Sequence, residues 1–315
     1  MLNVLTIDVE DYFQVSAFEG CVSRDCWDNY QLRVEVNTVR ILDLLDEFAV
    51  RASFFVLGWV AERKPSLVKE IAARGHEVAS HGYGHRRVST QTRQEFRDDI
   101  RRSKMILEDL TATEVSGYRA PSYSVSKNTL WAFDELLDAG YSYDSSVFPI
   151  RHDLYGIPDW PRFHFTVERV ADSLWEPASS ERGKNSSWCG KGGVSLDQIH
   201  SQLASETRSL VEVPITTLKI AGRSIPISGG GYFRFFPYAV TKWGLNRINR
   251  FEGRPFVFYI HPWEIDRDQP RMAGASLKAR FRHYLNLART EERFRSLLAD
   301  FMFIPMKNFV EAQTQ

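Results

Sequence analysis

Three carboxylates within four residues, Asp8, Glu10 and Asp11, follow a short apolar run and are the first side chains whose spacing could do chemistry. Like charges this close repel. Either a cation sits among them, or at least one carboxyl keeps a raised pKa and works as an acid or base. An acidic surface loop is the plain alternative. The second group is Ser80-His81-Gly82-Tyr83-Gly84-His85, whose two imidazoles can converge on one ion if the loop folds back or begins a helix. Imidazole nitrogens suit Zn²⁺ and related first-row cations, and the acidic cluster could supply an oxygen ligand. His76 is near in sequence but out of register with this pair.

Three further segments carry candidate groups. Gly117-Tyr118-Arg119-Ala120-Pro121-Ser122-Tyr123 joins a proline-stiffened turn to an arginine able to grip a carboxylate with two hydrogen bonds. Tyr143-Asp144-Ser145-Ser146 offers a single acid, and His261 follows the apolar run Phe256 to Ile260. Taken alone, a histidine after such a run is more often structural than catalytic.

The elements that must position these groups alternate. Val4 to Val9, Ala52 to Leu57, His76 to Ser80, Val115 to Tyr118 and Tyr141 to Val147 read as extended. Helical patterns separate them: Val39, Leu42, Leu45 and Phe48; then 65–74; then Phe96, Ile100, Leu107 and Leu110; then 126–138. Four successive β-α units imply a parallel sheet or barrel, which puts the candidate residues at strand C-terminal ends, where such folds bind ligands. The stretch 178–194 is rich in Ser, Gly, Lys and Asn and reads as a loop insertion. Order returns with Leu210 to Pro214, a helix around Tyr238 to Arg250, the strand Phe256 to Ile260 and a basic helix from Ser276 to Leu287.

With 40 basic against 40 acidic residues the formal net charge is zero, so the electrostatic footprint of nucleic-acid binding is missing. No window approaches a membrane span. Three cysteines without a CxxC pair, and a beginning without a signal-peptide pattern, lead to the expectation of a reduced, cytoplasmic protein.

Together the five segments resemble, in order from Val4 to Pro262, the motifs of the NodB-homology polysaccharide deacetylases, carbohydrate esterase family 4. Asp8-Val9-Glu10-Asp11-Tyr12-Phe13, Gly229-Gly230-Gly231-Tyr232-Phe233-Arg234 and His261-Pro262-Trp263-Glu264-Ile265-Asp266 look more narrowly like the deacetylases of exosortase/PEP-CTERM exopolysaccharide loci, as does the basic tail around 282–287. The resemblance implies an α/β fold, a distorted (β/α) barrel over 1–267 with a C-terminal helical extension over 268–315. It implies a metal-dependent hydrolase that removes N-acetyl groups from an amino-sugar polymer or its precursor.

Residue by residue, the resemblance makes Asp8 the general base, Arg119 the group that orients it, and His261 the general acid, with Asp144 holding and charging that histidine. His81 and His85 become metal ligands. The third ligand is Glu10 or Asp11, with Glu10 favoured because some relatives space the two acids by one residue. The backbone N–H of Tyr123 would help bind an oxyanion, and Tyr123, Tyr232 and Trp263 would line the sugar cleft. Zinc suits the ligand types, as do Co²⁺, Ni²⁺, Mn²⁺ and Fe²⁺. Two departures stand out: Val9 separates acids that are adjacent in most relatives, and Ser145 stands where an aromatic residue is common. The competing readings are a hydrolase of cyclic amides, as in allantoinase-like members of the wider superfamily, and a non-catalytic carbohydrate-binding relative.

Overall fold

The computed structural model describes residues 1–152, 156–171, 174–178 and 208–314. Nearly all of the expected insertion at 178–194, with Cys189, lies outside the described residues, whereas Cys21 and Cys26 are free thiols at the surface.

Strand β1 (Leu2–Val9) is buried along all but its first residue, as expected for a central strand covered on both faces. It pairs in parallel with β2 (Ser53–Val56), which pairs with β3 (Glu77–Ser80), followed by β4 (Gly117–Tyr118), β5 (Tyr143–Asp144) and β8 (Ser209–Glu212). Antiparallel β6 (Phe165–Ala171) and β7 (Leu174–Pro177) extend the sheet past β8, and a separate hairpin joins β9 (Thr217–Ile220) to β10 (Arg223–Pro226). On the other edge of β1 lies β11 (Val257–Ile260), while β12 (Met302–Ile304) pairs with the first residues of β1 on the β2 side, and both are parallel to it. The mixed α/β architecture is the expected one. Among the described residues its strands form an open, largely parallel sheet with β11 and β7 at the ends, not a closed ring.

Helices α1 (Val34–Glu47), α2 (Gly58–Arg63), α3 (Pro65–Ala73), α4 (Arg93–Thr111) and α5 (Ala132–Asp138) fill the crossovers. Helix α4 starts at a reciprocal cap: Thr92 Oγ1 accepts from the Glu95 N–H, and a Glu95 carboxylate oxygen accepts from the Thr92 N–H. Its buried residues Phe96, Ile100, Ser103 and Leu107 form one stripe against the core.

The second half adds α6 (Gly230–Phe235), α7 (Tyr238–Arg250), α8 (Leu277–Tyr284), α9 (Leu287–Asp300) and α10 (Met306–Thr314). The part beyond 268 is not a purely helical extension, because β12 enters the main sheet beside β1. Three residues are too few for an alternating pattern to be read in sequence.

The shortest strands are held by close packing. A Cβ on Gly117 would lie 2.0 Å from Tyr143 Cζ, and that ring is fixed by a 2.6 Å hydrogen bond from its hydroxyl to Glu77. Gly117→Ala is therefore expected to destabilise the fold by about 1–3 kcal/mol, as overpacking of a tight core does. Urea denaturation of the two proteins tests this, and an unchanged midpoint would mean that the Tyr143 ring yields freely.

Candidate active site and metal centre

The C-terminal ends of β1, β3, β4 and β11 bring the candidate groups together. Along a strand, residues two apart share a face, so Asp8 and Glu10 point the same way and Asp11 the other. Asp11 is spent on structure. One carboxylate oxygen accepts from the backbone N–H groups of Arg33 and Val34 at the start of α1, at 2.7 and 2.9 Å, and the other accepts from Tyr12 N–H. Burial pushes the Asp11 carboxyl up to about 6 in spite of these donors.

Glu10, His81 and His85 are all buried, and one donor atom from each lies within 4.8 Å of the others. Glu10 Oε2 is 2.6 Å from His85 Nε2, while Glu10 Oε1 accepts from the indole N–H of Trp263 at 3.2 Å. His81 Nδ1 is 2.8 Å from the carbonyl oxygen of Arg119. Burial lowers the His81 pKa to about 4, so the ring is neutral, its Nδ1–H donates to that carbonyl and Nε2 keeps a lone pair for a ligand. Burial alone would raise Glu10, but the neighbouring His85 and His261 hold it well below the usual carboxylate range. The donor set of two imidazoles and a carboxylate fits a divalent first-row cation.

The loop from His81 to His85 folds back instead of forming a helix. Asp99 of α4 accepts from the N–H groups of Tyr83 and Gly84 at 2.7 and 3.2 Å, and Arg24 donates to the carbonyls of Gly84 and His85 at 2.9 and 2.8 Å. Gly82 has a positive φ of 72°, and a Cβ there would meet Asp99 at 2.7 Å. Asp99 lies beside the buried stripe of α4, and a lone acid at the border of a helix face carries no sequence signal, so its part in shaping the histidine loop was not legible.

Asp8 and Arg119 form a fully buried pair, Oδ1 to NH1 at 2.6 Å. The guanidinium also donates to Thr6 Oγ1, Ser145 Oγ and the Ser145 carbonyl. Ser145, at the position where an aromatic residue is common, thus serves as a hydrogen-bond partner behind the site. Asp8 Oδ2 is left facing the Tyr123 hydroxyl at 3.4 Å and His261 Nε2 at 3.9 Å.

The expected Asp144–His261 pair is not formed. Asp144 stands opposite Glu212 in the β5–β8 ladder and takes a 2.5 Å hydrogen bond from Ser146 Oγ, and burial raises the pKa of both carboxyls so that the pair shares a proton. His261 is held instead by Glu264, which accepts from both the ring Nδ1 and the backbone N–H of His261 at 3.0 Å. Arg234 in turn donates to Glu264 at 2.6 Å. Burial would lower His261, but the carboxylates of Glu10 and Glu264 lift it to about 9; Glu264, against its own burial, is drawn down to about 2 by Arg234 and His261. Sequence reasoning missed Glu264, although an acid three residues after a strand-end residue and inside a turn that starts with proline is a capping-box signal.

Two aromatic expectations need correction. Trp263 is 5% exposed and stacks on His261 and His283 with ring centroids 5.2 and 4.2 Å apart, so it is a wall of the site and not an open sugar platform. The Tyr123 N–H already donates to the Ala120 carbonyl at 3.0 Å inside its turn, leaving the phenol as the group that faces Asp8. Tyr123 packs edge-on against Tyr259, and Gly229, just before α6, bridges to Tyr259. That contact brings the helix carrying half-buried Tyr232 near the site.

Residues 25–143 match the family model described as polysaccharide deacetylase, and 179–311 match one described as a domain of unknown function, DUF3473. A peptidoglycan-N-acetylglucosamine deacetylase from Bacillus cereus is 35% identical over 99 residues, 31% of this chain and 36% of that protein. A peptidoglycan deacetylase from Helicobacter pylori is 29% identical over 137 residues, 42% of this chain and 46% of that protein. The chain therefore spans less than half the length of these curated relatives. A solved structure of a candidate polysaccharide deacetylase from Mycobacterium smegmatis matches in fold over 98% of this chain and 88% of its own, with TM-score 0.54 and 19% identity. These comparisons show a similarity to polysaccharide deacetylases over part of the chain and a match in mixed α/β fold over nearly all of it. His81, His85 and Arg119 lie in the first matched region; Arg234, His261 and Glu264 lie in the second.

Two predictions follow from this geometry. Glu10→Gln should weaken divalent-metal binding by more than about tenfold, the loss typical even of groups behind the ligands. Asp11→Asn should keep the metal and lower stability by about 1 kcal/mol through its lost helix-start contacts. Metal content after dialysis, with a melting curve for each variant, decides it; the reverse pattern would overturn the ligand assignment. The second concerns Glu212, whose carboxyl is raised above its unfolded value near 4.3. Its contribution is full below that value and is lost as pH rises through the folded pKa. Glu212→Gln removes this loss, so the melting temperature of the variant should gain on the native protein from pH 5 to pH 9. Parallel curves would mean the pair does not hold a proton.

Proposed function

We propose that this chain is a metal-dependent hydrolase that removes N-acetyl groups from an amino-sugar polysaccharide or its precursor. The observation that carries the reading is the meeting of the Glu10, His81 and His85 donors with two separately anchored groups, Asp8 on Arg119 and His261 on Glu264. A bound divalent cation would supply Lewis-acid polarisation of the amide carbonyl and acidification of water.

The chain's own groups divide the proton work. With Oδ1 tied to Arg119, Asp8 has Oδ2 to accept a proton from the attacking water. His261 holds a proton, with Nδ1 engaged by Glu264 and Nε2 facing the gap toward Asp8 Oδ2 and Glu10 Oε1, 3.9 and 3.6 Å away. It is thus oriented to protonate a leaving amine. Asp144 takes no part in this pair.

Names among the relatives, peptidoglycan deacetylase and chitooligosaccharide deacetylase, support N-acetylglucosamine polymers as the substrate class. The three motifs that look like the exosortase-associated subfamily favour an exopolysaccharide, and the ligand types favour zinc.

Acetate release from N-acetylglucosamine oligomers should require the metal and stop with chelator. His261→Ala should cut kcat by roughly 10²–10⁴ while leaving metal content unchanged. Glu264→Gln, which leaves the imidazole but removes the charge behind it, should produce a smaller loss, about tenfold or more, in kcat with little change in KM. Full activity in His261→Ala, or hydrolysis of cyclic amides in place of the oligomers, would overturn the assignment.

A further inference from the structure

The outer face of α7 has no part in the chemistry above. Its inner face, Thr241, Gly244, Leu245 and Ile248, is buried, and the helix sits so tightly that a Cβ on Gly244 would come within 2.9 Å of Ile227. Outward, Val240, Trp243, Arg247 and Phe251 recur at steps of three and four residues and therefore form one stripe. Trp243 is 54% exposed and Phe251 79%. Large apolar side chains clustered in water mark an interaction surface more often than a bare one.

The charges on this face have one sign. The helix carries Lys242, Arg247 and Arg250 and no Asp or Glu, and Arg254 follows shortly after its end. Lys242 is paired with Asp300 at 2.7 Å, and nearby Glu252 with Arg162. Among the described residues Arg247 and Arg250 make no ion pair; the Arg247 guanidinium lies 5.7 Å from the Phe251 ring. A groove of ≈ 470 Å³ runs among Ala239, Trp243, Arg247 and Phe251.

We propose that this face of α7 docks the protein on an anionic membrane surface. An aromatic and aliphatic stripe flanked by guanidinium groups is the pattern that enters the headgroup boundary with its rings while its cations meet lipid phosphates. A second copy of the chain is a poor occupant, because a two-fold contact through this stripe would press Arg247 and Arg250 against like charges. The position suits the role. Asn249 bonds to Asn3 near the start of β1, and Lys242 to Asp300 just before β12, so the helix lies by the strand starts, away from the strand ends that carry the site. Docking there leaves the catalytic mouth open to a polymer.

The test is flotation of the full chain with vesicles of phosphatidylcholine alone and with about one third phosphatidylglycerol. Binding is expected to the anionic vesicles alone, and to fall at least about fivefold in roughly 0.5 M salt, where the screening length is only a few ångströms. Arg247→Glu with Arg250→Glu, and separately Trp243→Ala with Phe251→Ala, should each abolish it, with melting temperature and activity on soluble oligomers unchanged. Three results would overturn the proposal: no flotation, flotation indifferent to both double variants, or a native dimer that the variants dissolve without any vesicle binding. Equal binding of poly-glutamate by the native protein and the Trp243/Phe251 variant, without flotation, would assign the face to an acidic polypeptide. None of these outcomes bears on the deacetylase reading, which rests on other residues.

Discussion

A guanidinium with no solvent exposure, Arg119, is the constraint on which the rest of the site depends. Arginine does not give up its proton inside a protein, so burying it requires acceptors placed around the whole fork. Thr6 and Asp8 from β1 and Ser145 just after β5 supply them, while the Arg119 carbonyl accepts from His81. One residue thus fixes, through its guanidinium, the relative height of three strand ends and, through its backbone carbonyl, the tautomer of a metal-ligand candidate. Removing it would leave Asp8 as an unpaired buried charge, a far larger penalty than the loss of one hydrogen bond.

Around that pair the charges alternate. Asp8, Glu10 and Glu264 are interleaved with Arg119, His261 and Arg234, each acid within about hydrogen-bond or ion-pair distance of a base. Such a cluster can be buried because no member lacks a counter-charge. It also explains how two carboxylates of one strand take different environments. Asp8 is committed through one oxygen to a permanent cation, whereas Glu10 faces imidazoles and an indole N–H.

How much of this was legible in the sequence follows from the range of the interactions. The parallel sheet and the placing of Asp8, Glu10, His81, His85, Arg119 and His261 at strand ends could be read because strand patterns and motif order are local. The choice of Glu10 over Asp11 was also within reach, since strand alternation puts Asp8 and Glu10 on one face. Asp144 was misread because the family pattern supplied a partner that this chain takes from elsewhere. Its register partner is Glu212, and the acid on His261 is Glu264, three residues along the same segment. Trp263 was misread because exposure cannot be seen from residue type. The hairpins β6–β7 and β9–β10 were missed because short strands with at most two buried side chains each carry no strong alternation.

The second half of the chain is therefore part of the site's construction. Arg234 reaches Glu264 with one nitrogen and the carbonyls of Arg282, His283 and Leu285 with another, so the end of α8 is tied to the acid that holds His261. Arg293 of α9 does the same for the end of α6, donating to the carbonyls of Phe233, Arg234 and Phe236. Cations at helix C-termini satisfy carbonyls that have no partner within their own helix. Further along, the N–H groups of Met306 and Lys307 bond to Ser53 and Glu77 on β2 and β3. A segment that supplies a sheet strand, caps two helices and fixes the acid's partner cannot fold as an appendage independent of the first half. The Asp8 end of the site is anchored within residues 6–145 and the His261 end within 234–293, and β1, paired to both β2 and β11, is the strand that brings the two halves into register.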